Sequence, residues 1–160
     1  MKKVLIALDY DPTAQKVAET GFKLAKTLRA EVILLHVIAN STYYSMPEYS
    51  SIMGFNGIGV WNLLQDDDDL KKTAIQFLEK SKIHLGDDSI QTLVKDSDPA
   101  KSILEAAEDL HANIIVMGSH SRKWLENIIM GSVTEKVLKH TTIPVFIVPT
   151  KQNKNKKRQN

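Results

Sequence analysis

The chain has 160 residues, 42% of them hydrophobic and 25% charged, a composition that fits one folded domain and argues against a disordered, collagen-like or membrane-spanning protein. It contains no cysteine, which excludes disulfides, thiolate metal sites and cysteine nucleophiles and is compatible with a reducing cytoplasm. The formal net charge of +2 is unevenly spread: residues 151–160 hold five of the 21 basic residues and no acid, which leaves residues 1–150 with 16 basic against 19 acidic residues, net −3.

Val4 to Leu8 is an unbroken apolar run, as expected of a strand buried on both faces of a parallel sheet. Its five residues end at Asp9, short of the ~7–15 of a secretory segment, and no other run approaches the ~20 that span a bilayer. A soluble, cytoplasmic protein without membrane attachment is expected. Asp11-Pro12 supplies an N-cap and a proline at the first helical position, and Ala14, Val17, Ala18, Gly21, Leu24, Ala25 and Leu28 continue at helical spacing, predicting a helix over about 12–29. A second buried strand follows at 32–38. Residues 39–65 have neither a helical nor an alternating period, so a long mobile loop is expected there.

Four aspartates, 66–69, open a helix that continues to Leu85. Acids in a first turn offset the helix dipole, and the run lacks the D-x-D-x-D-G spacing of a calcium loop. Ile90 to Val94 reads as an edge strand, Asp98-Pro99 starts another helix, and Ile114 to Met117 is the fourth strand. A helix from Ser132 to about His140 precedes the last strand, Ile143 to Pro149, whose prolines fit an edge or strand ends. Five strands alternating with four helices imply a doubly wound α/β domain over residues 1–150: a parallel sheet with right-handed crossovers and helices on both faces. Ligands of such folds sit outside the carboxyl ends of the strands, which places Asp9, Val37 and Gly118 together as candidates. Residues 151–160 read as a basic, disordered tail, either a solubilising terminus or a contact for nucleic acid or anionic lipid.

The most informative stretch runs from Met117 to Glu135. Gly118 stops a strand, and Gly131 directly precedes Ser132-Val133-Thr134-Glu135, which reads as a capping box with Ser132 at N-cap. The amides of such a helix start attract phosphate, although a tight strand exit and a capped helix need no ligand. Asp9 can accept from a ribose hydroxyl or adenine amine, or simply cap the first helix. His120, Arg122 and Lys123 lie in the same loop, as phosphate partners or as solvated side chains. No P-loop, no complete dinucleotide fingerprint, no H-E-x-x-H and no G-x-S-x-G occurs, and no catalytic residue is assigned.

The spacing Gly118-Ser-His-Ser121, nine residues Arg122 to Met130, then Gly131-Ser132 resembles the G-x-x-G-x9-G-[ST] nucleotide motif of the universal stress protein family. Val4 to Asp9, the strand Val32 to Val37 and Pro144 to Val148 are also similar to family positions, so the resemblance covers about residues 2–149. It implies an adenine-nucleotide alpha-hydrolase-like sheet of strand order 3-2-1-4-5 and a homodimer formed through the last strand, about 144–148. It also implies ATP, often with magnesium or manganese, as ligand. Carried over by position, Asp9 and the backbone of Ala7 and Val37 meet the adenosine end. Met117 and Gly118 line the ribose, and Ser121, Gly131, Ser132, Val133 and Thr134 hold the phosphates. The departure is Ser121, where the nucleotide-binding subgroup has glycine. A regulatory stress-response protein is the implied function, and a ligand-free dimeric interaction module of the same fold is the alternative.

Overall fold

A computed structural model describes residues 1–38, 51–56, 67–119 and 130–150. The elements along the chain are β1 (Lys3–Ala7), α1 (Ala14–Leu28), β2 (Glu31–Ile38), β3 (Ser51–Ile52), β4 (Phe55–Asn56), α2 (Asp67–Leu85), β5 (Gln91–Asp96), α3 (Pro99–Asp109), β6 (Ile114–Gly118), α4 (Ser132–His140) and β7 (Val145–Val148). Five parallel strands form one sheet in the order β5-β2-β1-β6-β7, the expected 3-2-1-4-5 when only its own strands are numbered.

Both faces of the sheet are covered, which explains why its inner strands are mostly apolar, with His36 of β2 the polar exception within the run. Val4, Ile6, Val32, Leu34 and Val116 pack beneath Val17, Ala18 and Ala25 of α1 and Phe77 and Leu78 of α2. On the opposite face Leu5, Ile33, Leu35, Ile115 and Met117 pack against Ala100, Ile103, Ala106 and Ala107 of α3 and Val137 of α4. Helix α1 lies unusually close to the sheet. A Cβ built on Gly21 would fall 2.8 Å from Ile6 Cδ1 and 3.1 Å from Val116 Cγ1, so the glycine permits the approach.

Two expectations need correction. The two Asp-Pro starts behave differently. Asp98 caps α3 by accepting from the Lys101 amide, with Pro99 in the first turn. Asp11 instead accepts from the Thr13 amide at 2.9 Å, and its carbonyl accepts from the Ala14 amide, so a tight turn precedes α1 and the helix begins at Ala14 rather than 12. Within 39–65, Ser51–Ile52 and Phe55–Asn56 pair as a short antiparallel hairpin turning through Met53 and Gly54, both at positive φ. Ile52, Met53 and Phe55 are buried in the α1/α2 face of the core, so this segment contributes to the core. The remainder of the expected mobile loop and the 151–160 tail lie outside the described residues. Strand β7 is an edge strand, as its prolines suggested, with Pro144 just before it; its Phe146 is 41% exposed.

Candidate functional site

Strand β1 is hydrogen-bonded to β2 on one side and β6 on the other, so the chain leaves it in opposite directions and a crevice opens beyond the carboxyl ends of β1 and β6. Ile6 pairs with Val116, which brings Leu8 and Gly118 to the same level two residues on. Ala7 pairs with Leu35, placing Val37 just beyond it on the neighbouring strand. Ala7, Val37, Met117 and Val133 all pack with the α3/α4 cluster, so these four predicted positions share one side of the sheet.

Asp9 follows β1 directly and is partly buried, and its Oδ1 accepts from the Tyr10 amide at 2.8 Å. The next turn is closed by the Asp11 amide donating to the Asp9 carbonyl at 2.9 Å. Across the crevice, α4 starts one residue earlier than a Ser132 cap would give. Gly131 is the N-cap, in extended conformation, with no side-chain cap bond, and the Glu135 amide donates to the Gly131 carbonyl as the first helical bond. The capping box therefore does not form. The helix start is anchored to the strand instead: the Gly131 amide donates to the Ser119 carbonyl at 2.7 Å, and Thr134 Oγ1 donates to the Gly118 carbonyl at 2.9 Å. The amides of Ser132, Val133 and Thr134 have no acceptor within the helix, and with the helix dipole they make an anion-attracting end. Ser121, like His120, Arg122 and Lys123, lies outside the described residues.

Sequence reasoning missed the side chains that fix the crevice walls. Ser119, buried, receives a hydrogen bond from the Thr150 amide at 3.0 Å, and its own amide donates to the Val148 carbonyl, which ties the exit of β6 to the end of β7. His36, on the α1/α2 face, lies 2.8 Å through Nδ1 from the Leu8 carbonyl. Its ring packs 4.2 Å from that of Tyr10, which in turn stacks on Phe55 of the hairpin. A histidine inside a hydrophobic run was the available signal; its partner, a backbone carbonyl, has no sequence signature.

Burial pushes the His36 imidazole below its ordinary value, against the upward pull of the Asp9 carboxylate and the Leu8 carbonyl. The folded state then resists a proton that the unfolded chain accepts near pH 6.5, so its contribution to stability is present above that pH and is lost as pH falls. Urea unfolding is expected to show stability declining from pH 6.5 toward 5, at up to about 1.4 kcal/mol per pH unit. His36→Asn should flatten that decline; an unchanged slope would place its origin elsewhere.

Among the described residues no cluster of three or more histidine and acidic side chains can hold a metal, and no helix is long and apolar enough to cross a membrane.

The sequence model of the universal stress protein family matches residues 1–149. Universal stress protein MJ0577 of Methanocaldococcus jannaschii is 34% identical over 95% of this chain and 97% of its own length. The universal stress protein YxiE of Bacillus subtilis is 29% identical over 91% of this chain and 97% of its own. The solved structure of MJ0577 superposes with a TM-score of 0.71 at 32% identity, covering 95% of this chain and 98% of that one. A universal stress protein determined in complex with cAMP shares the fold at a TM-score of 0.61 and 15% identity, covering 94% of this chain and 98% of its own.

Proposed function

Because the chain belongs to the universal stress protein family, we propose that it binds ATP or another adenine nucleotide in the crevice between β1 and β6 and acts as a cytoplasmic regulatory protein of the stress response. The observation that supports this reading is the helix start Gly131–Thr134, held by the Thr134 hydroxyl against Gly118 at the end of β6, the strand next to the one that Asp9 follows. One wall offers amide donors and positive dipole to phosphates; the other offers a carboxylate suited to ribose hydroxyls or the adenine amine. Ala7 and Val37 would border the adenosine, and Met117 and Gly118 the ribose. Ser121, Gly131, Ser132, Val133 and Thr134 would meet the phosphates, with magnesium or manganese as counter-ion. The fold accommodates adenine nucleotides in distant members, one determined with cAMP and one from Archaeoglobus fulgidus with dAMP. The test is mass spectrometry of extracted protein for adenine nucleotide, followed by calorimetric titration with MgATP. No nucleotide and no heat up to millimolar concentration rejects the proposal.

Ser121 favours a second reading, a dimeric interaction module whose loop carries no ligand. A serine there adds a Cβ where the binding subgroup has none. If Ser121→Gly acquires ATP binding that the natural chain lacks, the second reading stands.

Homodimerisation through residues 144–148 belongs to both readings. Val145, Phe146 and Ile147 present apolar side chains on an edge strand, a pairing template that a second copy would cover. Sedimentation at micromolar concentration should give a dimer, and Phe146→Glu should shift it to monomer; a monomeric natural chain would exclude this interface.

A further inference from the structure

His36 is 1% exposed, yet it is polar, and packing does not explain it. Among the described residues its Nε2 has no hydrogen-bond partner, so the ring carries an unsatisfied buried acceptor that an apolar side chain would avoid. What the imidazole provides is Nδ1. The Leu8 carbonyl can only accept, so Nδ1 carries the proton and donates to it, fixing the tautomer. Leu8 is also held through its amide, which donates to the Leu35 carbonyl at 2.8 Å on the same strand as His36. Both backbone groups of the residue before Asp9 are thus held from β2. The residue after Asp9 is held too: Tyr10 lies between the His36, Phe55 and Phe77 rings at centroid distances of 4.2, 5.5 and 4.9 Å.

We propose that His36 is the positioning residue of the crevice: through Nδ1–H on the Leu8 carbonyl and its ring against Tyr10, it fixes the Leu8–Asp9–Tyr10 turn and with it the direction of the Asp9 carboxylate. His36 does so from the α1/α2 face, while the crevice residues Ala7, Val37 and Met117 pack on the other. It therefore acts without touching a ligand. The hairpin is part of the same clamp, because Phe55 closes over Tyr10. Among the described residues the charged group acting on the ring is the Asp9 carboxylate; the titratable Tyr10 packs against it ring to ring, and α2 presents the uncharged Phe77. The consequence for ligand binding rests on the nucleotide reading above; the hold on the turn does not.

The test compares the full chain with His36→Phe and His36→Leu, which delete the donor, and with His36→Asn, whose amide nitrogen can replace Nδ1. Amide hydrogen exchange is followed at Tyr10 and Asp11, whose amides bond within the turn, and at Ile115, which reports the sheet. The expected result is a protection loss of about 10-fold or more at Tyr10 and Asp11 in both apolar variants, with Ile115 unchanged and protection regained in His36→Asn. ATP and adenosine should weaken together by a similar factor, and tripolyphosphate should not. Equal protection in every variant, or a loss at Ile115 matching that at Tyr10, overturns the proposal. A natural chain that binds neither ATP nor adenosine refutes the nucleotide reading, and the exchange at Tyr10 still decides whether His36 holds the turn.

Discussion

Phe77→Ala should lower the unfolding free energy by roughly 3–5 kcal/mol, a large share of the ~5–15 that holds a typical domain together. The side chain is fully buried, and its ring meets three others, at 4.9 Å from Tyr10, 5.3 Å from Phe55 and 5.6 Å from His36. It joins α2 to the sheet, to the hairpin and to the turn that carries Asp9. Truncation removes its apolar transfer energy and leaves a cavity lined by aromatic faces that cannot close without moving backbone. In urea unfolding the midpoint should fall with little change in slope, and Tm should drop by on the order of 10 °C. A loss under about 1 kcal/mol would show that the aromatic cluster is not a cooperative part of the core.

Asp9→Ala should separate the two ends of the proposed nucleotide site. A hydrogen bond to a carboxylate contributes about 1.5–3 kcal/mol, so ATP and adenosine should bind roughly 10- to 150-fold more weakly. Tripolyphosphate should bind unchanged or more tightly, because a negative charge has left the neighbourhood of an anion. Ser132→Ala is expected to act at the other end and weaken ATP and tripolyphosphate together while sparing adenosine. Competition titrations with the three ligands distinguish these outcomes. Equal losses for adenosine and tripolyphosphate in Asp9→Ala would mean that the residue supports the crevice as a whole.

Much of the fold was legible because its signals are local and repeated. Val4–Leu8 and Ile114–Met117 are apolar throughout and Val32–Ile38 is apolar but for His36, which a doubly covered strand explains, and the helix faces follow from spacing. The strand order itself came from resemblance to a family, since pairing is a long-range choice. The hairpin at 51–56 escaped because two residues per strand are too few to show a period; Ile52 and Phe55 order it by packing into the core. The Ser132 capping box failed for a related reason. The sequence pattern was present, but the Gly131 amide and the Thr134 hydroxyl found the carbonyls of Ser119 and Gly118, partners distant in sequence. His36, Tyr10 and Ser119 went unread because their partners are backbone atoms or rings brought near only by the completed sheet.

The close approach of α1 to the sheet closes a common route to engineered thermostability. Changing a mid-helix glycine to alanine ordinarily gains up to about 1 kcal/mol from backbone propensity. At Gly21 the new methyl group would be forced against Ile6 and Val116, so the gain would be spent on displacing the helix. Positions 21 and 6 share a single volume, and a designer would have to shorten Ile6 in the same step for the alanine to stabilise.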